Sequence, residues 1–462
     1  MLTYLHERLL DRTVLILGFG REGKSSLHNI IKAGGYKTIA IADMNDVSLD
    51  EETLEICKEV NININDILFQ TGPAYQDAID SYDLVMKSPG IVLEKERASY
   101  KAEIVSQMQL TFERFRDRII GITGTKGKST TTTLLYHILK EAGRDVLLAG
   151  NIGIPVFDVL DRMKDETLLV LELSCHQLEY MTVSPKWGML LNIYEEHLDH
   201  YGTMEKYVAS KLQIYLHQKA GDRLYLSPQV TPYLSDCHTD CIYISADVSN
   251  GEVDINAKLT GRTISYNGRA YEIPVDEIRL IGSHNYIDIA FDYALCADLG
   301  MDDATFEAGL KSYEPLPHRL QKFAVIDGVE YYDDSISTID ETTIRALETV
   351  KNAATVLIGG MDRGISYVNL EEFLSTSSVK NIILMEETGR RIAKEISENY
   401  PDFPNKERLL VTEHLEDAVA LAKKVTKPGE AVILSPAAAS YGIFKNFEHR
   451  GEVFKELVTK EK

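Results

Sequence analysis

Short apolar runs alternate with amphipathic helical patterns along almost the whole chain. The runs are "TVLILG", "TIAIAD", "DLVMKSPG", "RIIGIT", "LLVLELS", "GMLLNI", "ATVLIGG", "NIILM", "RLLVTE" and "EAVILSP". Helical patterns lie between them, for example at residues 341–350 and 415–425. Continuous apolar strands that alternate with helices are typical of parallel sheets covered by helices. We therefore predict an α/β fold with mostly parallel sheets.

The 462 residues are enough for about three domains of roughly 150 residues each. The Pro-rich turn "YEPLPHR" marks a linker near residue 315, and the segment before "RIIGIT" marks a second boundary. We predict domains at residues 1–110, 111–315 and 316–462. The outer two are expected to be Rossmann-like and the central one to be of the P-loop ATPase type.

Composition and charge exclude several classes of protein. No apolar run reaches membrane-spanning length and the N-terminus is no signal peptide, so we expect a cytoplasmic protein without membrane insertion. A net charge of −22 argues against a nucleic-acid partner. The five cysteines form no disulfide framework, and Cys237 and Cys241 give only a weak hint of a metal. We expect a monomer.

The stretch "GITGTKGKSTTTTLLYHILKEAG" passes from a strand through a glycine turn into a helix. Ile122 stands where the strict P-loop has a glycine, but the strand before and the helix after agree with that motif. Glycines let backbone N–H groups approach phosphate oxygens, and the helix start adds its positive end. We predict a nucleoside triphosphate site in which Lys128 reaches the phosphates and Ser129 a Mg²⁺ ion. The alternative is a purely structural turn.

Three later residues could belong to the same site. Glu172 ends the buried strand in "VLELS", and a buried carboxylate usually has a partner, for which a metal ion is one candidate. His197 follows a strand in "LLNIYEEHLDHYG", and Lys211 stands among apolar residues in "YVASKLQIYLHQ". Taken alone, the histidine is typical of a solvated loop and the lysine of a helix surface.

The N-terminal segment carries a second glycine pattern. Gly18, Gly20 and Gly23 lie between a strand and a helix, and the next strand ends in Asp43. This pattern is a dinucleotide fingerprint and, read alone, indicates a nicotinamide-dependent oxidoreductase. That hypothesis leaves Lys128 and His197 without a role. A nucleotide-binding module without catalysis is a third hypothesis.

The motifs together resemble one family. The order "GTKGKST", "ELSCHQLE", "LNIYEEHLDHYG", "ASKLQIY", "GSHN", "LPHR", "DDS", "LIGG" and "LSPAAASYGIFKNFEHRG" is similar to that of the Mur ligases of peptidoglycan synthesis, over nearly the whole chain. Residues 435–451 resemble the members that join glutamate to UDP-N-acetylmuramoyl-L-alanine. The resemblance implies that ATP phosphorylates a carboxylate and that an amine then attacks the acyl phosphate, giving an amide, ADP and phosphate.

The resemblance also implies roles for individual residues. The catalytic residues would be Lys128, His197 and Lys211. The turn that binds ATP would be Gly124, Thr125, Lys126, Gly127, Lys128, Ser129 and Thr130, with further nucleotide contacts from Asn285, Arg319 and Asp334. Two Mg²⁺ ions would be held by Ser129, Glu172, His197 and Lys211, the lysine as a carbamate formed with CO₂. The UDP-substrate would contact Gly18, Phe19, Gly20, Asp43, Ser88, Pro89, Gly90 and Asn151. Glutamate or phosphate would lie near Thr338, Arg363, Ser440 and Phe447.

Two positions depart from the pattern of the ligases that add D-glutamate. Ile336 in "DSISTI" replaces a lysine, and Arg363 in "IGGMDRG" replaces another. A guanidinium can hold a carboxylate through two parallel hydrogen bonds, which a lysine cannot. The changed pattern resembles a variant ligase that adds L-glutamate, whose product is later epimerised. We predict D-glutamate, with L-glutamate as the alternative.

Overall fold

The computed structural model describes residues 1–48, 50–234, 239–246, 254–283, 285–400 and 402–460. Cys237, one of the two cysteines that hinted at a metal, lies outside these residues. The chain divides into two compact units, Met1–Ile278 with His284–Tyr313 and Arg279–Ser283 with Glu314–Lys462. Within the described residues, the first unit contains two sheets and the second contains one.

The N-terminal sheet and its helices begin the first unit. They are α1 (Leu2–Leu9), β1 (Thr13–Leu17), α2 (Arg21–Ala33), β2 (Thr38–Asp43), α3 (Glu51–Glu59), β3 (Ile67–Thr71), β4 (Leu84–Lys87) and β5 (Glu103–Val105). All pairings are parallel in the order β3-β2-β1-β4-β5, which confirms the expected Rossmann-like arrangement. A Cβ on Gly23 would lie 2.2 Å from the Gly18 oxygen, so α2 approaches the preceding turn as closely as only glycine allows.

The second sheet of this unit is larger and mixed. Its elements are α4 (Gln107–Phe115), β6 (Ile119–Thr123), α5 (Lys128–Glu141), β7 (Val146–Gly150), β8 (Leu168–Glu172), α6 (Cys175–Leu178), β9 (Trp187–Leu190), α7 (Leu198–Tyr201), α8 (Met204–Leu212), β10 (Arg223–Leu226), β11 (Asp240–Ser245), β12 (Ala257–Thr260), β13 (Thr263–Tyr266), β14 (Arg269–Glu272), α9 (Asn285–Asp298) and α10 (Asp303–Ser312). The order is β14-β13-β12-β11-β10-β9-β6-β8-β7, and antiparallel pairing is confined to β12, β13 and β14 at one edge.

The second unit is built on one six-stranded sheet. Its elements are β15 (Gln321–Ile326), β16 (Val329–Asp333), α11 (Asp340–Thr349), β17 (Ala353–Gly359), α12 (Val368–Thr376), β18 (Asn381–Met385), α13 (Glu386–Asn399), β19 (Leu409–Thr412), α14 (Leu415–Val425), β20 (Ala431–Leu434) and α15 (Phe447–Thr459). The order is β15-β16-β20-β17-β18-β19, with β15 antiparallel and the other strands parallel. One apolar cluster packs on each face of this sheet.

A continuous core joins the two sheets of the first unit. Met108 and Phe112 of α4 belong to the same buried cluster as Ile16 of β1 and Leu169 of β8. This packing fixes the N-terminal glycine turn relative to the larger sheet. The ten apolar runs are all strands, and the predicted three-domain α/β architecture is confirmed. The bounds at residues 110 and 315 remain predictions, and α4 spans the first of them.

None of the helices in the described part of the chain combines the length and the hydrophobicity that a membrane crossing requires.

Candidate active site

The glycine turn between β6 and α5 has the geometry of a phosphate-binding turn. Gly124 follows the strand, and Gly127 adopts the left-handed conformation with φ 85° immediately before α5 begins at Lys128. A Cβ on Gly127 would lie 2.6 Å from Oδ1 of Asp288 in α9, so both the dihedral angle and the space require glycine. Ser129 and Thr130 lie in the first turn of α5, whose N–H groups have no partner within the helix.

Asn192 fixes the shape of this turn from the neighbouring strand end. The Thr125 N–H donates to the Asn192 backbone oxygen (3.0 Å) and to its Oδ1 (3.1 Å), and the Lys126 N–H donates to the same Oδ1 (2.8 Å). The Asn192 side chain donates in return to the Lys126 oxygen. These amides are therefore directed at Asn192, and the positive end of α5 is left to receive an anion. Sequence analysis missed Asn192.

Two lysine ammonium groups converge on one backbone oxygen. Lys128 Nζ lies 3.0 Å and Lys211 Nζ 2.8 Å from the Gly124 oxygen, although the two residues are far apart in the sequence. Burial lowers the pKa of both amines, and the charge of Lys128 helps to lower that of Lys211, to about 7. Lys211 also lies over the ring of Tyr207, whose hydroxyl is 2.8 Å from the Thr125 hydroxyl. The two ammonium groups therefore lie close together at the same point of the turn.

Glu172 lies beside these cations at the carboxyl end of β8. It is 1% exposed, and its Oε1 accepts a hydrogen bond of 2.6 Å from Asn151. Oε2 is buried and has no hydrogen-bond partner. An ionised oxygen left without a partner is costly, and a hard divalent cation is a suitable partner for it. The residues at this position therefore fit a Mg²⁺ ion.

His197 is held in a strained conformation at the start of α7. Its φ is 57°, in the left-handed region, and its ring centroid lies 5.1 Å from that of His176 and 6.1 Å from that of Tyr207. Strained non-glycine residues often mark functional sites. Within the described residues, no group of three or more His, Cys, Asp and Glu side chains is arranged to hold a metal. The predicted ligand set differs from such a group because it combines His197 and Glu172 with a hydroxyl and a modified lysine.

Asn285, a predicted nucleotide contact, is buried at the first position of α9. Asp288, one turn further along that helix, faces Gly127 in the phosphate turn. The structure therefore brings the start of α9 close to the predicted nucleotide site.

At the N-terminal glycine turn, the carboxylate of Asp43 accepts hydrogen bonds from two backbone N–H groups. Its Oδ2 accepts the Phe19 N–H at 2.7 Å, and its Oδ1 accepts the Asn45 N–H at 2.9 Å. In the dinucleotide fingerprint, the acidic residue instead binds a ribose hydroxyl. Both oxygens therefore help to hold the shape of this turn.

Pro89, Gly90 and Asn151, three of the other residues predicted to contact the UDP-substrate, border a cavity of about 300 Å³ in the first unit. Ser88 donates to the Gly18 oxygen (2.7 Å), which ties the turn after β4 to the turn that leads through Gly20 into α2. The cavity is lined by Arg21, Glu22, Pro89, Gly90, Gly150, Asn151, Gly153, Pro155, Ser174, His176 and Gln177. It extends from the N-terminal turns to Asn151, which holds Glu172. Sequence analysis missed Arg21 and Glu22, although both lie in the glycine motif.

In the second unit, three predicted residues share the carboxyl edge of the sheet. Thr338 follows β16, Arg363 follows β17 and Ser440 follows β20, and these strands are neighbours. Arg363 donates to the Thr338 oxygen at 2.7 Å. The Met361 N–H donates to the Ala439 oxygen at 2.9 Å, which joins the segments of Arg363 and Ser440. Ligands of such sheets usually bind at this edge.

Asp334 is an internal hydrogen-bonding centre of the second unit. Its carboxylate accepts bonds from Ser337 (2.6 Å), Ser435 (2.7 Å) and the Leu320 N–H (3.0 Å), while burial raises its pKa to about 6. Nε of Arg319 is buried without a partner. Phe447 begins α15, and its oxygen accepts from Ser335, a neighbour of Asp334 in the chain.

Glu386, which sequence analysis also missed, lies at the same edge after β18. It is non-glycine at φ 59°, it is buried, and neither carboxylate oxygen has a hydrogen-bond partner. Burial raises its pKa. Such a combination of strain and unpaired charge costs stability.

A glycine turn on a helix start, two convergent lysines and an unpaired carboxylate define a protein that handles phosphoryl groups. Residues 122–291 match the family model described as "Mur ligase middle domain". The UDP-N-acetylmuramoylalanine--D-glutamate ligase of Pelotomaculum thermopropionicum is 31% identical over 97% of both chains. That of Clostridioides difficile is 32% identical over 97% of this chain and 99% of the relative. The chain therefore belongs to the Mur ligase family, which confirms the resemblance.

Solved structures show the same fold. The UDP-N-acetylmuramate-alanine ligase MurC from Thermotoga maritima has a TM-score of 0.58 at 17% identity, covering 96% of this chain and 98% of its own. MurF from Acinetobacter baumannii has a TM-score of 0.61 at 14% identity, covering 98% and 92%.

Proposed function

We propose that the protein is an ATP-dependent ligase that joins glutamate to UDP-N-acetylmuramoyl-L-alanine in peptidoglycan precursor synthesis. The names of its relatives support the substrates. The observation that carries the chemistry is the convergence of Lys128 and Lys211 on the Gly124 oxygen, beside the unpaired oxygen of Glu172. A cytoplasmic location, a monomeric state and the domain bounds after residues 110 and 315 belong to the same proposal.

In the proposed reaction, a carboxylate oxygen of the UDP-substrate attacks the γ-phosphorus of ATP and ADP departs. The glutamate amine then attacks the carbonyl carbon of the acyl phosphate, loses a proton, and forms the amide as phosphate leaves. Both steps concentrate negative charge, so the protein acts mainly by positioning anions and neutralising them. The start of α5 and Lys128 would hold the phosphates, and Asn151 would orient the reacting end of the UDP-substrate.

Mg²⁺ would be held by Ser129, Glu172, His197 and a carbamylated Lys211, and it would neutralise phosphate charge there. The free oxygen of Glu172 supports this assignment. Lys211 is suited to carbamylation because only the neutral amine attacks CO₂, and burial and the charge of Lys128 lower the pKa of this amine to about 7. The amine would lose a proton as the N–C bond forms, giving an anion close to the ammonium group of Lys128.

Glutamate would bind at the carboxyl edge of the second unit's sheet. Arg363 is exposed and fixed by one hydrogen bond to the Thr338 oxygen, so its other donors can face a carboxylate. Buried Ser440 lies on the adjoining segment. The names of the relatives favour D-glutamate, while Ile336 and Arg363 keep L-glutamate as the alternative.

A phosphate-release assay with ATP, UDP-N-acetylmuramoyl-L-alanine and each glutamate enantiomer tests the proposal. Release should require all three substrates. Turnover with L-glutamate alone would change the amino acid and leave the ligase mechanism standing. ATP binding without phosphate release in the complete mixture would instead support a non-catalytic module, and tight NAD⁺ binding without a response to uridine ligands would support an oxidoreductase.

A further inference from the structure

Lys126 and Glu196 form an ion pair at the glycine turn that precedes α5. Lys126 Nζ lies 3.0 Å from Glu196 Oε1, although the two residues are 70 positions apart in the chain. The lysine belongs to the turn itself, and the glutamate belongs to the loop between β9 and α7. The pair therefore places a carboxylate beside a turn that we propose to bind phosphate.

The backbone on both sides of this pair is held by hydrogen bonds. The Lys126 N–H donates to Asn192 Oδ1, and the Lys126 oxygen accepts from the Asn192 side chain. The Tyr194 N–H donates to the Thr125 hydroxyl at 2.9 Å, which ties the loop of Glu196 to the turn. The ammonium of a lysine is carried on a flexible four-carbon stem. Lys126 can therefore change its partner while the backbone of the turn keeps its shape.

The pair is too exposed to be strong. The Lys126 side chain is 44% exposed and the Glu196 side chain is 34% exposed. Ion pairs in such positions contribute little to stability, because water solvates both charges. A nucleotide diphosphate carries more negative charge than one carboxylate, and the start of α5 would attract it further. A nucleotide at the turn can therefore compete with Glu196 for the ammonium of Lys126.

The other two lysines of the turn have backbone partners instead. Lys128 Nζ contacts the Gly124 and Thr125 oxygens. Lys211 Nζ contacts the Gly124 oxygen. None of the ion pairs between described residues includes either amine. Burial lowers the pKa of both, and attraction to Glu196 is among the effects that oppose this shift. The charge of Glu196 therefore acts on all three lysines, but only Lys126 is paired with it.

We propose that Glu196 is a positioning residue that holds the ammonium of Lys126 in the free protein and competes with the nucleotide phosphates for it. The inference rests on the proposed function, because it assumes that a nucleotide binds at this turn. When the nucleotide binds, Lys126 has to leave Glu196 or to share its charge between the carboxylate and a phosphate. The carboxylate also repels the phosphates. Glu196 therefore lowers the affinity for the nucleotide, which favours the departure of ADP after the reaction.

Calorimetric titration of the full-length protein with ADP tests the inference. The buffer contains EDTA, because Glu196 adjoins His197, a proposed Mg²⁺ ligand, and an effect on the metal would otherwise be included. Glu196→Gln should bind ADP about threefold more tightly than the wild type, since it removes the competing carboxylate. Glu195→Gln is the matched control, because it removes the same charge from an exposed neighbour. Its ADP affinity should stay close to that of the wild type.

A double-mutant cycle separates competition for Lys126 from a general effect of charge. Lys126→Met should weaken ADP binding more in the Glu196→Gln background than in the wild type, because only there is the ammonium free of the carboxylate. The two losses should differ by about threefold. A general effect of charge would give the same loss in both backgrounds.

Three results would overturn the inference and leave the ligase proposal intact. They are ADP binding by Glu196→Gln no tighter than that of the wild type, an equal gain for Glu195→Gln, and equal losses for Lys126→Met in the two backgrounds. A wild-type protein that does not bind ADP in EDTA would also overturn it. If the wild type does not bind ADP with Mg²⁺ either, the proposed function is refuted as well.

Discussion

Replacing Glu172 with glutamine separates its contribution to catalysis from its contribution to stability. The substitution keeps the shape of the side chain and its acceptor for Asn151, and it removes the charge. In the wild-type structure, Oε2 is buried and has no hydrogen-bond partner, and burying an unpaired charged group costs free energy. A residue kept under these conditions is expected to serve the reaction and to cost stability.

The two effects have opposite signs. An unpaired buried atom costs about 1–3 kcal/mol, and more when its group is charged. The amide of the glutamine remains unpaired but carries no charge, whereas the hydrogen bond from Asn151 loses about 1 kcal/mol when its acceptor becomes neutral. We therefore expect Glu172→Gln to be as stable as the wild type or about 1 kcal/mol more stable. The loss of a carboxylate that holds Mg²⁺ should lower kcat at least a hundredfold, or about 2.7 kcal/mol of transition-state stabilisation.

Thermal unfolding and phosphate release measure the two quantities on the same samples. Added ADP and Mg²⁺ should raise the Tm of the wild type and have little effect on Glu172→Gln, a readout that does not depend on turnover. Glu371→Gln is the matched control, because Glu371 is equally buried, neither of its oxygens has a hydrogen-bond partner, and it lies in α12 of the second unit. Burial and the nearby Glu395 raise the pKa of Glu371 to about 7.

The control variant should keep full activity. The reasoning about Glu172 is refuted if Glu172→Gln retains activity within tenfold of the wild type. It is also refuted if the variant unfolds at a clearly lower temperature, because the activity loss would then follow from damage to the fold.

Substitutions at three further residues test other parts of the molecule. Lys211→Ala should lose most activity, and short-chain carboxylic acids should restore part of it by supplying an anion. Full activity without added acid would contradict the proposal that Lys211 is carbamylated. Arg363→Lys should raise the KM for glutamate more than that for ATP, because it loses the guanidinium fork, and the reverse order would assign Arg363 to the nucleotide. Glu386→Gly should raise the stability of the second unit by about 1 kcal/mol in thermal unfolding, because it removes both the left-handed strain and the buried charge. Glu386→Gln removes the charge but keeps the strain, so it should gain less stability. A lower Tm for Glu386→Gly would show that Glu386 stabilises the fold.

Ten of the parallel strands could be predicted from the sequence because each is a continuous apolar run covered by helices. The edge strands of the larger sheet could not. The burial of β13, for example, alternates over only four residues, a pattern too short to distinguish from a loop. The sequence likewise gave no sign that β12, β13 and β14 extend a parallel sheet in the antiparallel sense.

The site was predictable where a local motif carries it and elsewhere only through the family resemblance. The turn at Gly127 and Lys128 has a signature of its own. Lys211 meets Lys128 only because α8 packs near the turn, and its local pattern is that of an ordinary amphipathic helix. Glu386 went unnoticed because a charge that follows a strand is common, and only the fold shows that its carboxylate is buried without a hydrogen-bond partner.

The hydrogen bonds from Asn192 have a consequence for affinity. By holding Thr125 and Lys126 before any nucleotide arrives, they remove backbone conformational entropy that binding would otherwise have to remove. Fixing two residues costs about 3 kcal/mol, which corresponds to more than a hundredfold in a dissociation constant. Asn192 therefore preorganises the turn during folding, and the energy of the phosphate contacts remains available for the ligand itself.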